Sequence, residues 1–211
     1  MRAKTWLVVA AAMLAAACRT NDVNNNAEPL SLPTPVDRTG AGVTVAQFGE
    51  PLTITGAALK VGDKAPDVVL RTPRGSDLNL ASLRGKVVLM SVVPELGTTV
   101  CDRSTQRFEE AARGLPDDVA VLTISSDDPF TQDRWARENN IRDVQLLSDS
   151  AHKSFGPAYG VQVRETGRLA RAVLVVDAKG VIRYIEMQRE LARDPNYEAA
   201  LAAVDKLRQQ K

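Results

Sequence analysis

The sequence predicts an α/β fold: a mixed central sheet flanked by helices, with a β-hairpin ahead of it. Three observations carry this. Largely apolar runs recur at residues 86–93, where Gly85 and Pro94 bound the run, and at 119–124 and 172–176, as expected of strands buried on both faces. Segments with three- and four-residue apolar spacing separate them. A hairpin and a final helical pattern close the order, which gives helices packed on a sheet rather than a bundle or a barrel.

The order begins with an address. Arg2 and Lys4 precede an apolar run over residues 6–17, and Ala15-Ala16-Ala17 leads to Cys18. A positive start, a short apolar stretch and small residues before a cut mark a secretory signal. The run is short of the roughly 20 apolar residues of a spanning helix. Leu14 to Cys18 resembles a bacterial lipobox, although the bulky residue usual three places before the cysteine is Ala15 here. Residues 1–17 are read as a lipoprotein signal peptide and Cys18 as the lipidated residue, with plain signal cleavage as the other reading. Residues 18–42, rich in asparagine, proline and glycine, read as a disordered tether reaching on the order of 25–30 Å. The expected location is the cell envelope, lipid-anchored and facing the periplasm; Arg19 after Cys18 fits sorting to an outer membrane.

The globular domain is expected over residues 43–211. Residues 43–48 and 52–55 read as strands around a Gly49-Glu50-Pro51 turn. Val68-Val69-Leu70 is a short strand, and residues 86–93 form the first central one. Cys101, Thr105, Phe108, Ala112 and Leu115 fall on one face of a helix that Gly114 and Pro116 stop. After the 119–124 strand, Asp128-Pro129 opens a second helix. A third is expected over residues 150–157. Strands at 172–176 and 181–185 flank Ala178-Lys179-Gly180, a hairpin turn. The last helix is expected from Asp194-Pro195 through Leu207.

Composition narrows the function. The 211 residues are 44% hydrophobic and 25% charged, with 27 basic and 26 acidic side chains for a net charge of +1. No basic excess drives nucleic-acid binding, and at 4% aromatic few rings are present to stack on bases. Loss of residues 1–17 removes Arg2 and Lys4, leaving 25 basic side chains against 26 acidic. Two cysteines, Cys18 and Cys101, do not make a disulfide scaffold. With Cys18 lipidated, Cys101 is the one thiol left.

Cys101 sits where a buried strand gives way to a helix, in Pro94-Glu95-Leu96-Gly97-Thr98-Thr99-Val100-Cys101. The first turn of a helix offers free N–H groups and the positive end of the helix dipole, and both favour a thiolate. From position alone Cys101 is either an activated nucleophile or an inert cysteine packed on an apolar helix face. No other residue makes a metal or phosphate site: His152 is the only histidine, and Gly85, Gly97 and Gly114 lie too far apart for a phosphate loop. Asp127 and Asp128, adjacent and before a proline, read as caps. No cofactor is expected.

The pattern Pro94-x-x-x-Thr98-x-x-Cys101 resembles the active-site motif of the peroxiredoxins, and residues 43–208 resemble one subgroup, the bacterial thiol peroxidases of the atypical two-cysteine type. The 43–55 hairpin, Ser126-Asp127-Asp128-Pro129-Phe130 (with Asp128 for a usual leucine), Tyr159-Gly160-Val161, Ala170-Arg171-Ala172-Val173 and Pro195-Asn196-Tyr197-Glu198-Ala199-Ala200-Leu201 carry the likeness. The resemblance implies a thioredoxin-like fold and a peroxidase for hydrogen peroxide and organic hydroperoxides. Cys101 would be the peroxidatic cysteine that becomes a sulfenic acid. Thr98 would hydrogen-bond the sulfur and the peroxide. Arg171 would stabilise the thiolate and polarise the O–O bond, and Pro94 would shield the sulfenic acid. A homodimer is implied as well. The resolving cysteine of the family falls at Ala136, and no cysteine replaces it. An external thiol, from a thioredoxin-like protein or a small molecule, or else Cys101 of another subunit, would therefore reduce the sulfenic acid.

Two other functions fit parts of the sequence. Cys101-Asp102-Arg103-Ser104 is a single-thiol version of the Cys-x-x-Cys of disulfide-handling proteins. Loss of the resolving cysteine also fits a membrane-tethered redox sensor or interaction module.

Overall fold

The computed structural model describes residues 35–210; residues 1–17, Cys18 and most of the expected tether lie outside the described residues. The last part of that tether is already tied to the domain. Val36 pairs with Met187 through bonds of 3.0 and 2.8 Å, Thr39 N–H donates to Leu59 O, and Gly40 N–H donates to Gly160 O at 2.8 Å. Order thus starts ahead of Val43. Backbone partners supplied from distant segments outweigh the local proline and glycine content on which the tether reading rests.

The elements follow in chain order as β1 (Thr44–Gln47), β2 (Glu50–Thr55), β3 (Val69–Arg71), β4 (Asp77–Asn79), β5 (Val87–Val92), α1 (Thr99–Ala112), β6 (Val119–Ser125), α2 (Pro129–Glu138), β7 (Gln145–Ser148), α3 (Phe155–Tyr159), β8 (Gln162–Val163), β9 (Ala172–Val176), β10 (Ile182–Met187) and α4 (Tyr197–Arg208). A short 3₁₀ turn covers Leu80–Leu83. Seven strands form one mixed sheet in the order β10-β9-β5-β6-β7-β3-β4. β5, β6 and β7 run parallel, and β9 and β10 join antiparallel on the other side. β1, β2 and β8 form a separate antiparallel sheet.

Side-chain alternation along β5 divides the core. Val88, Met90 and Val92 face one cluster with Leu122, Leu174, Phe155 and Tyr159. Val87 and Leu89 face the other with Cys101, Phe108, Trp135 and Val204, beneath α1, α2 and α4. This is the continuous apolar run of a strand covered on both sides. Burying Phe108 completely contributes about 2–3 kcal/mol to holding α1 on the sheet.

Several local expectations are corrected. The hairpin turns at Phe48-Gly49, both at positive φ (52° and 82°), so Glu50 and Pro51 already belong to β2. Pro51 is tolerated opposite Ala46 because the pairing of β2 with β8 involves only Ile54 and Thr55. α3 starts later than expected, because the buried Asp149 carboxylate takes the N–H groups of Ser154, Phe155 and Gly156 at 2.9, 2.9 and 3.0 Å. Gly160 ends it with φ 62°. A Cβ there would fall 1.9 Å from Ala57 O, so only glycine fits. α4 is capped by Asn196, whose side chain accepts from Ala199 N–H at 3.0 Å; Asp194, expected at that position, turns to Arg103 instead.

Candidate active site

β5 delivers the chain through Pro94 into a loop over residues 95–98, and α1 follows. That loop is held from two directions. Leu96 N–H donates to Asp127 Oδ2 at 2.8 Å, an oxygen that also accepts from the Ser125 hydroxyl. Gly97 N–H donates to Asp102 Oδ1 at 2.7 Å. Asp127 therefore tethers the cysteine loop to the end of β6. Asp128 is the α2 cap, accepting from Thr131 N–H at 3.0 Å. Its carboxyl is held below the usual value by the hydrogen bonds from Thr131.

Cys101 is the third residue of α1, one place ahead of the first bond within the helix, Asp102 N–H to Thr98 O at 2.9 Å. Its own N–H thus belongs to the unpaired first turn. The residue is 1% exposed. Arg171, just before β9 and 3% exposed, brings Nη2 to 3.2 Å from the sulfur. Its Nε donates to Leu191 O at 2.8 Å, which fixes the plane of the guanidinium. Its Nη1 is buried and has no hydrogen-bond partner among the described residues.

A cavity of about 370 Å³ opens over the sulfur and is of ligand size. Pro94, Glu95 and Thr98 line it from the cysteine loop; Gln47, Phe48 and Leu52 from the hairpin; Leu191 and Ala192 from the segment after β10. Arg168 and Glu95 cross its edge as a two-pronged ion pair, at 2.6 and 3.0 Å.

The structure brings Cys101, Arg171, Thr98 and Pro94 to one pocket. Thr98 takes the helix-capping position, but its hydroxyl donates to Glu95 O at 3.1 Å instead of to the sulfur. Ala136 is half-buried and packs against the same apolar cluster as Cys101. His152 is a surface residue, with Nε2 3.0 Å from Asp77 Oδ1. Among the described residues no group of histidine, cysteine and carboxylate side chains is placed to hold a metal ion.

Sequence reasoning missed three parts of this site. The Leu191 carbonyl is a backbone group and leaves no mark in residue types. Glu95 and Arg168 are oppositely charged but 73 residues apart. Asp194 takes both prongs of Arg103, at 2.9 and 2.6 Å, and the Tyr197 hydroxyl at 2.7 Å, locking α1 to the start of α4. Burial works to raise the Asp194 carboxyl, but those hydrogen bonds and the charges of Arg103 and Arg171 hold it below its usual value.

Comparison with known proteins agrees with this geometry. The Redoxin family profile matches residues 60–201. The thiol peroxidase of Bacillus subtilis (strain 168) is 45% identical over 159 residues, covering 75% of this chain and 95% of that protein. Among solved structures, a peroxiredoxin-like protein from Aquifex aeolicus superposes with a TM-score of 0.75 at 33% identity, over 80% of this chain and 99% of its own. A thiol peroxidase from Chromobacterium violaceum, 22% identical, shares the fold with a TM-score of 0.70 over 81% of this chain and 99% of its own. The mixed sheet with its flanking helices and antiparallel N-terminal sheet is thus a thioredoxin-like peroxiredoxin fold. With a helix-start cysteine facing a buried arginine, and with this extent of identity, the chain belongs to the bacterial thiol peroxidases of the redoxin family.

Proposed function

We propose that this thiol peroxidase works with one cysteine, reducing hydrogen peroxide and organic hydroperoxides through a Cys101 sulfenic acid that an external thiol resolves. The observation that carries the reading is the Arg171 guanidinium. It is buried, has one arm 3.2 Å from the Cys101 sulfur, and has a second arm, Nη1, without a partner. A cation this close favours the anionic form of the group beside it, and the thiolate is the form of cysteine that attacks a peroxide. The unspent Nη1 is a donor for a peroxide oxygen entering the cavity.

The thiolate attacks the terminal peroxide oxygen in line with the O–O bond. The S–O bond forms as the O–O bond breaks, and the sulfur is oxidised to S–OH. The other oxygen departs as alkoxide or hydroxide and takes a proton from water. Arg171 acts where that negative charge is redistributed, the largest contribution expected of such a site. The Thr98 hydroxyl, with its proton committed to Glu95 O, offers its lone pairs to the peroxide O–H. Pro94, in the cavity wall, limits solvent access to the sulfenic acid. An incoming thiol then condenses with the sulfenic acid to a mixed disulfide and water, and a second thiol releases Cys101. The chain holds no second thiol beside Cys18, which supports resolution from outside. The electrons come from a thioredoxin-like protein or a small thiol.

The same proposal places the enzyme on the cell envelope as a homodimer, with residues 1–17 removed and Cys18 lipidated. The leader composition supports the address, and mass analysis of the mature N-terminus tests it. The chemistry is tested by adding one equivalent of hydrogen peroxide to the reduced protein in the presence of a sulfenic-acid trap, with Cys101→Ser as control. Rapid stoichiometric trapping at Cys101 is expected. A folded protein that is not oxidised would sink the peroxidase reading and favour disulfide exchange or a sensor.

A further inference from the structure

We infer that Glu190 is a positioning residue that seats the tip of the β1–β2 hairpin at the mouth of the peroxide cavity, and so sets the enzyme's reactivity with bulky organic hydroperoxides. The inference rests on the peroxidase reading above. The Glu190 carboxylate spans two walls of the cavity. Oε1 accepts from Phe48 N–H at 3.0 Å and from Ala192 N–H at 3.1 Å, and Oε2 accepts from Gly49 N–H at 3.2 Å. Phe48 and Ala192 both line the cavity that opens on Cys101.

The pairing of Gln47 with Glu50 closes the two-residue turn, but little side-chain packing holds its tip. Phe48 is 81% exposed, and its backbone sits at φ 52°, which a two-residue hairpin turn calls for but which costs a non-glycine residue energy. The bonds from Ala46 N–H to Arg189 O at 2.6 Å and from Leu191 N–H to Ala46 O at 2.8 Å dock the strand before the turn. The carboxylate takes both N–H groups of the turn itself, and its charge strengthens each N–H···O bond.

This division predicts which substrates sense Glu190. Hydrogen peroxide occupies the space among Cys101, Arg171 and Thr98. The substituent of a larger hydroperoxide extends toward the outer wall, where Gln47, Phe48 and Leu52 stand. Leu191, the residue after Glu190, orients Arg171 through its carbonyl. A variant that disturbed this segment generally would slow both classes of peroxide alike. Loss of the tip alone slows the bulky class.

The test compares rate constants for Cys101 oxidation by hydrogen peroxide and by cumene hydroperoxide in the full chain. Glu190→Ala is expected to lose about tenfold with cumene hydroperoxide and less than about threefold with hydrogen peroxide. Glu190→Gln keeps one acceptor oxygen and should fall between wild type and alanine; it also serves if the alanine variant does not fold. In a Phe48→Gly background Glu190→Ala should cost nothing further with the bulky peroxide, since the wall it seats is gone. Equal loss with both peroxides, or no loss, overturns the role of Glu190 while leaving the peroxidase reading intact. A wild type inert to hydrogen peroxide removes both.

Discussion

Arg171 Nη2 lies 3.2 Å from Cys101 Sγ across 70 residues of sequence. The same guanidinium is committed to Leu191 O through Nε and retains a free Nη1. Three directions of donation are used or held ready by one planar group. Arg171→Lys keeps the charge but not the fork, so Cys101 oxidation should slow by about 10²–10³-fold. Single-turnover trapping of the sulfenic acid measures this; a wild-type rate in the lysine variant would show that charge alone suffices.

Thr98 gives a different test, because its hydroxyl proton already goes to Glu95 O. What it offers the peroxide is an acceptor. Thr98→Ser retains that acceptor and should react nearly as wild type. Thr98→Val removes it and strands the Glu95 carbonyl, and should slow peroxide reduction by about a hundredfold. If serine and valine lose equally, the methyl group's packing matters and the hydroxyl does not.

The central strands and the first helix were legible for physical reasons that the remaining parts lack. β5, β6 and β9 are buried on both faces, and such strands must be continuously apolar. α1 shows its buried stripe through Cys101, Thr105 and Phe108. β4, β7 and β8 have three, four and two residues, too few for any period to show. Phe48 at positive φ defies turn chemistry read from residue types: the pairing of Gln47 with Glu50 leaves two residues for the turn, and the Glu190 carboxylate that accepts from Phe48 N–H lies 142 residues away. In the site, the helix start made Cys101 a candidate, and the likeness of Pro94, Thr98 and Cys101 to a family motif singled it out. Arg171 is visible only through family likeness, since a lone arginine before a strand has no local signature.

Ala136 occupies the position that the family resemblance assigns to a resolving cysteine, and it is half-buried against the apolar cluster that contains Cys101. A thiol restored there by Ala136→Cys should convert the enzyme to internal resolution. After one equivalent of peroxide, the sulfenic acid should condense with the new thiol and expel water. Intact mass should then show a disulfide and no trappable sulfenic acid, whereas wild type stays trappable. Persistence of the trapped adduct in the variant would show that α1 and α2 do not open far enough for the two sulfurs to meet.

Stability of the helix that carries Cys101 should depend on acid through Glu109. This α1 residue is 2% exposed, and its carboxylate accepts from the N–H groups of Val144, Arg142 and Asp143 at 2.8, 3.0 and 3.0 Å. It thereby pins α1 to the start of β7. Burial works to raise its carboxyl, but the three backbone donors and the charge of Arg113 outweigh it and leave the carboxyl below its ordinary value of 4.5. A carboxylate depressed in the folded state stabilises fully above its unfolded value, and that contribution is lost as pH falls through the folded value. Glu109→Gln offers one oxygen to three donors and should cost about 2–3 kcal/mol at neutral pH. Denaturant unfolding of both proteins through the acid range should show the gap narrowing below the ordinary carboxyl value of 4.5, as wild type is protonated and the variant is not. A gap that stays constant into acid would mean that the shape of the side chain, rather than its charge, anchors the helix.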